Sequence, residues 1–257
     1  MLRKKLGQTG IELPVIGLGT VKLGRNTQVK YPKSFVIPDD KAVQLLLNTA
    51  KDLDVNFIDT APAYGSSEER LGELLPGKRE DWIIASKAGE DFVDGQSSYC
   101  FSREHLTNSV KRSLQRLKTD YLDIVLIHSN GDDLTIIDQE GALDTLAELK
   151  KEGLIRATGM STKTIEGGRR CLDLADLAMV TYNPVETECK SVIDYAYTKN
   201  KGILIKKAFA SGHLCANKKE CTTKGIFKFV FDVPGVTSVI IGTMNPAHLR
   251  ENVLSLS

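Results

Sequence analysis

The chain has 257 residues, 41% of them hydrophobic and 26% charged, the composition of an ordinary folded globule able to bury one substantial core. Its net charge of +1 is spread along the length, which excludes an electrostatic footprint for nucleic acid or an anionic membrane and points to a small neutral or locally anionic ligand. The five cysteines (Cys100, Cys171, Cys189, Cys215 and Cys221) are odd in number and lack metal or disulfide spacing; no apolar stretch approaches the ~20 residues of a membrane span, and the start lacks a signal-peptide core, so a reducing, cytoplasmic setting is expected.

In chain order, Leu6 to Leu13 reads as a hairpin able to close the bottom of a barrel. Val15 to Thr20 is the first of eight apolar, β-branched runs, followed by Val55 to Ala61, Trp82 to Lys87, Leu122 to His128, Ile155 to Met160, Leu177 to Asn183, Ile203 to Lys207 and Ser238 to Gly242. Most are near-continuous hydrophobic strings, as expected of parallel strands covered on both faces. Segments of helical period separate them. Val43, Leu46, Leu47 and Ala50 form one buried stripe; Ser66 with Glu69 makes a capping box; Ser102 caps Arg103 to Leu117; Asn245-Pro246 supplies N-cap and first turn of the last helix. This alternation predicts an α/β fold, a (β/α)8 TIM barrel with an N-terminal β-hairpin, filling residues 1–257 as one domain.

Two connections, Arg25 to Pro38 and Ala88 to Phe101, run to about 14 residues each and read as active-site loops on the catalytic face. Tyr31, Phe35, Phe92, Tyr99 and Phe101 in them either line a pocket or pin the loops down.

Four polar side chains sit at the C-terminal ends of these runs or just beyond: Asp59, Tyr64, Lys87 and His128. In one parallel barrel those ends open on the same face, where such barrels carry their chemistry. A phenol with a free pKa near ~10 becomes a general acid more readily beside a cation, and Lys87 is the candidate, with Asp59 keeping it charged and aimed. His128 is placed to bond a substrate oxygen. The set suits a carbonyl receiving hydride, since negative charge grows on the oxygen and the hydride must come from a cofactor.

Together with Gly17-Leu18-Gly19-Thr20, Asn56 through Gly65, Ser86-Lys87, Leu126-Ile127-His128 and Ile241 through Asn252, these residues give the chain a resemblance to the aldo-keto reductases over nearly its whole length. The resemblance implies a (β/α)8 barrel that binds NADPH, with NADH possible, and reduces aldehydes or ketones, as a monomer by family habit. By it Tyr64 is the general acid, Lys87 and Asp59 tune it and His128 orients the carbonyl. It also implies cofactor contacts at Thr20, Val21, Asp59, Ser161, Thr162, Met179, Lys206, Lys207, Phe209, Ser211, Gly242, Thr243, His248, Glu251 and Asn252. Several depart from the family: Thr162 stands for an asparagine, Met179 for a glutamine, Lys206 for a tyrosine that stacks on nicotinamide. Gly242 and His248 stand for the lysine and arginine that grip a 2′-phosphate, which weakens the preference for NADPH over NADH.

The departures motivate one alternative, a cofactor-binding regulatory or partner-binding barrel with little turnover. A Schiff-base lyase using Lys87 as nucleophile is a third reading, disfavoured because Asp59 raises the lysine pKa. No metal site is expected.

Overall fold

Apolar runs of this kind bury both faces, and in the computed structural model, which describes residues 1–216 and 222–256, they do so as a closed barrel. In chain order the strands are β1 (Arg3–Lys5), β2 (Glu12–Pro14), β3 (Ile16–Gly19), β4 (Phe57–Asp59), β5 (Ile83–Ala88), β6 (Glu90–Val93), β7 (Gln96–Tyr99), β8 (Leu122–His128), β9 (Ile155–Ser161), β10 (Leu177–Thr181), β11 (Gly202–Lys206) and β12 (Ser238–Ile241). The helices are α1 (Val21–Gly24), α2 (Asp40–Asp52), α3 (Ser67–Leu74), α4 (Arg103–Arg116), α5 (Asp133–Asp138), α6 (Ala142–Lys151), α7 (Ile165–Leu174), α8 (Lys190–Thr198), α9 (His213–Ala216), α10 (Thr223–Phe231) and α11 (Pro246–Leu254). Eight strands close in the parallel order β10-β11-β12-β3-β4-β5-β8-β9, the expected (β/α)8 architecture.

The β1–β2 hairpin pairs antiparallel and inserts Leu6, Ile11 and Leu13 into the barrel interior beside Phe57, Ile124, Leu126 and Leu177. It plugs the end opposite the chemistry, which leaves the C-terminal mouth as the accessible one. A second apolar layer lies between strands and helices, where α2 buries Val43, Leu46, Leu47 and Ala50 on the stripe its period predicts. Asp39 caps α2 through Ala42 N at 2.8 Å, and Ser102 and Asn245 cap α4 and α11 as expected.

Three expectations need correction. Most barrel strands stop one or two residues short of the apolar runs, and only Leu122 to His128 and Ile155 to Met160 are strand over their whole length. Ser66 makes no side-chain cap: its backbone is already near-helical, and Glu69 turns instead to Arg116 Nε at 2.8 Å. Ala88 to Phe101 is not an irregular loop but carries the β6–β7 hairpin, whose Asp94-Gly95 turn has φ of 50° and 77°. Two successive positive φ angles at Asp-Gly are the mark of a tight hairpin turn. Cys221 lies outside the described residues.

Candidate active site

Register places the four strand-end residues around one mouth. Asp59 ends β4, Lys87 sits on β5 and His128 ends β8, with Lys87 beside Leu126 and Asp59 beside Ala85 across the ladder. Tyr64 closes a 3₁₀ turn, Pro62–Tyr64, whose proline fixes the chain just past β4. Its ring meets His128 edge-on, with centroids 6.2 Å apart.

Lys87 is almost wholly buried and donates to Asp59 Oδ1 at 2.7 Å and to Thr60 O at 2.9 Å, with Nζ 4.7 Å from the Tyr64 ring centroid. Burial works to lower its pKa, but the attraction of Asp59 and Tyr64 prevails and carries it to about 12. A permanently protonated amine is no nucleophile, so the Schiff-base reading of Lys87 falls. Burial pushes the Tyr64 phenol above its ordinary value while the Lys87 ammonium pulls it down. The ammonium therefore offsets the cost of burying a phenolate; it does not leave a phenol more acidic than in water, as the sequence reading expected.

The supports beneath this set are hydroxyls. Thr20 Oγ1 donates to Asp59 O at 3.0 Å, and Ser67 Oγ donates to Thr20 Oγ1 at 2.9 Å and lies 3.1 Å from Thr60 Oγ1. Thr20 is completely buried in this cluster, and its hydroxyl braces the end of β4. Val21, next to it, opens α1 and is half-buried.

On the opposite wall Lys206, at the end of β11, donates to Ser161 Oγ at 2.8 Å and to Thr162 O at 2.9 Å. Burial, then the neighbouring Lys207 and Lys87, bring its pKa down to about 7. Thr162 presents its carbonyl to this lysine, while its buried Oγ1 has no partner and lies by Gly168 of α7. Met179 is packed in the barrel interior with Leu126 and Leu204, a floor residue without a polar contact to give. The Phe209 ring meets Phe227 edge-on, with centroids 5.4 Å apart. Lys207, Ala210 and Ser211 all have positive φ (56°, 47° and 56°), and Asn183 Nδ2 holds Lys207 O at 3.0 Å. Consecutive non-glycine residues in this region are strained, the kind of backbone found at ligand clamps.

At the last strand, Gly242 is exposed and a side chain built there would lie 3.4 Å from Tyr31 Oη. Thr243, His248, Glu251 and Asn252 follow around the start of α11, His248 and Glu251 exposed and Asn252 half-buried. Of the five loop aromatics only Tyr31 is shown interacting with Tyr64 and Asp59; burial, then those two groups, push its phenol above the ordinary value. Phe35 packs on Tyr31, Phe92 lies under Arg25 at 3.7 Å, Tyr99 is exposed and Phe101 joins the core.

The residue the sequence reading missed is Glu90, opening β6. Its Oε2 lies 2.8 Å from His128 Nδ1, and its Oε1 accepts from Ser97 Oγ at 2.7 Å and sits 3.5 Å from Arg25 Nη1. The signal that could have found it is Val93-Asp94-Gly95-Gln96, a hairpin turn that folds the third loop back over the mouth.

The profile of the aldo/keto reductase family matches residues 15–228. A crystal structure of a Pseudomonas aeruginosa protein assigned to the aldo-keto reductases is 50% identical, with a TM-score of 0.89, over 98% of this chain and 93% of that one. Among curated proteins, the uncharacterized oxidoreductase YqkF of Bacillus subtilis is 28% identical over 98% of this chain and 90% of its own length. The aldo-keto reductase YhdN of the same organism is 32% identical over 84% of this chain and 64% of its own length. With a profile match across most of its length, a shared barrel and these relatives, the chain belongs to the aldo/keto reductase family.

Proposed function

We propose that the chain reduces aldehydes or ketones at this mouth, with hydride from NADPH, and from NADH as the second choice, and with the proton from Tyr64. The observation that carries the reading is the buried Lys87 ammonium held between the Asp59 carboxylate and the Tyr64 phenol beside His128. Fit to an anionic dinucleotide is supported by Lys163, Lys206 and Lys207, which lie within electrostatic reach of one another, and by Lys30, which acts on Lys163; none of the four forms an ion pair with a carboxylate among the described residues. Ser161, Lys207, Ser211, Thr243 and the start of α11 are the residues to hold it, Asp59 and the Thr162 carbonyl acting through Lys87 and Lys206.

A bound reduced nicotinamide supplies a hydride to the carbonyl carbon. The protein's part is the oxygen. As the C=O π bond opens and its electron pair moves to oxygen, the oxygen takes the Tyr64 proton; Lys87 balances the phenolate left behind, and Asp59 keeps Lys87 charged. Solvent then reprotonates Tyr64. His128 bonds the same oxygen and fixes the face presented. A phenol raised by burial remains protonated at neutral pH, the correct state for a donor.

With Gly242 and His248 both exposed and no guanidinium among the residues proposed to hold the dinucleotide, a 2′-phosphate would find only the backbone at the start of α11, where Pro246 has no N–H and Ala247 N already donates to Asn245 Oδ1, so the margin of NADPH over NADH is small. The substrate is a small-molecule carbonyl, the active unit a monomer in the cytoplasm, and no helix among the described residues is long and apolar enough to cross a membrane. The test is a fluorescence titration with each nicotinamide followed by NADPH consumption with an aromatic aldehyde. Binding followed by consumption supports the reading. Tight binding with no consumption across a carbonyl panel leaves the regulatory barrel instead, and no binding of either nicotinamide removes both.

A further inference from the structure

His128 Nδ1 is buried, and Glu90 is the one carboxylate in contact with it among the described residues. The 2.8 Å contact lies off the line of an ideal N–H bond, and it is an ion pair only while the ring is protonated. Glu90 is itself nearly inaccessible, and its place is built from three directions. Ser97 donates to it from β7, Arg25 faces it from the first long loop, and the Tyr99 hydroxyl reaches it from the end of the hairpin. Arg25 is in turn immobilised, bonding Thr27 O at 3.0 Å, Ala63 O at 3.0 Å and Gln28 O at 3.3 Å while stacking on Phe92. A carboxylate held this firmly against one ring nitrogen decides which nitrogen carries the proton.

We propose that Glu90 is a positioning residue that fixes a proton on His128 Nδ1, so that Nε2 offers a lone pair to an alcohol hydroxyl when the ring is neutral and an N–H to a carbonyl oxygen when it is charged. The proposal rests on the carbonyl-reductase reading of the same site. Its consequence is a direction-dependent pH response: reduction draws on the imidazolium and rises as pH falls, while alcohol oxidation draws on the neutral ring.

The surrounding charges agree. Burial lowers the His128 pKa most, Glu90 raises it, and Lys87 from β5 and Lys206 from β11 lower it, with the Tyr64 ring edge-on. Glu90 is faced by Arg25, Ser97, His128, Tyr99, Lys163 and Tyr64. Burial favours its neutral form, yet His128, Ser97 and Arg25 bring its pKa to about 2, so the carboxylate is charged across the working range. The net position of His128 below its ordinary value makes the neutral ring, with Nδ1–H, the main form at neutral pH.

The test is nitrogen-15 NMR of the whole protein without ligand. The chain has four histidines, so the His128 signals are assigned by their disappearance in His128→Gln. The expected result in wild type is an Nδ1–H tautomer for neutral His128. In Glu90→Gln, whose amide oxygen still accepts Nδ1–H without the charge, His128 should titrate at lower pH, and carbonyl reduction at neutral pH should fall about tenfold or more with its limb displaced to lower pH. An Nε2–H tautomer in wild type overturns the proposal, as does a Glu90→Gln titration identical to wild type. Because the wild-type tautomer needs no variant, misfolding of Glu90→Gln does not blunt the test. NADPH turnover without the predicted tautomer refutes Glu90 alone, whereas the predicted tautomer without NADPH turnover refutes the carbonyl reductase alone.

Discussion

Lys87→Met leaves the Asp59 carboxylate buried with no counter-charge, and this single change tests the site's electrostatics most sharply. The pair is 2.7 Å apart with both side chains nearly inaccessible. At an effective dielectric of ~20 that separation corresponds to about 6 kcal/mol of attraction, and breaking one side of such buried pairs costs about 3–5 kcal/mol overall. For a chain of this size each kcal/mol moves Tm by about 2–4 °C, so the variant should melt roughly 6–20 °C below wild type. Asp59→Asn combined with Lys87→Met removes both charges and should recover much of the loss, because the remaining polar groups carry no unpaired charge. Circular-dichroism melts of the two single variants and the double give the coupling directly. Turnover should be lost in all three, which separates stability from chemistry. A Lys87→Met protein that melts with wild type, or a double variant no more stable than Lys87→Met, would refute a buried, mutually dependent pair.

Tyr64→Phe should reduce turnover by a factor on the order of 10²–10⁴ with cofactor affinity nearly unchanged, since the hydroxyl matters only as charge develops on the carbonyl oxygen; stopped-flow rates and a fluorescence titration check both halves. Lys206, with its pKa near 7, binds fewer protons folded than unfolded between about pH 7 and its ordinary value of 10.5, so its contribution makes stability rise with pH in that window, and the whole cost of burying the charged amine is felt below it. Lys206→Met should therefore flatten the stability profile between pH 7 and 9, by up to about 1.4 kcal/mol per pH unit, in urea melts at fixed pH. Thr20→Val should lower Tm by disrupting the Ser67 and Asp59 hydroxyl cluster while cofactor Kd stays within about twofold.

The barrel was legible because parallel strands buried on both faces must be apolar throughout, which is why β8 could be read to its last residue. The grouping of the candidate set was legible because a barrel's strands all finish at one end: Asp59, Lys87 and His128 needed only their positions in the runs to be gathered. What resisted reading was everything set by loops crossing the mouth. Glu90 meets His128 only because Asp94-Gly95 reverses the third loop, and Arg25 holds Glu90 only because the first long loop folds toward the hairpin. The partners of Thr20 were hidden for a similar reason. A threonine at a strand end can turn its hydroxyl to the mouth or to the neighbouring helix, and the choice depends on Ser67, which belongs to a different element. Likewise the aromatic at position 209 meets Phe227 across the chain, a contact without periodicity. Lys206 was read as a cofactor contact standing where a tyrosine stacks; its depressed pKa follows from burial, then from Lys207 and Lys87 sharing its surroundings, which only three dimensions reveal.

The central claim is that Tyr64 protonates a carbonyl oxygen while the bound dinucleotide delivers hydride to its carbon. Incubating the protein with NADPH deuterated at the transferring position and an aromatic aldehyde, then weighing the product alcohol by mass spectrometry, tests it in one step. Deuterium on the carbinol carbon with wild type, and almost none with Tyr64→Phe despite full cofactor binding, is the expected result. Cofactor bound without transfer by wild type, or equal transfer by the phenylalanine variant, would contradict it.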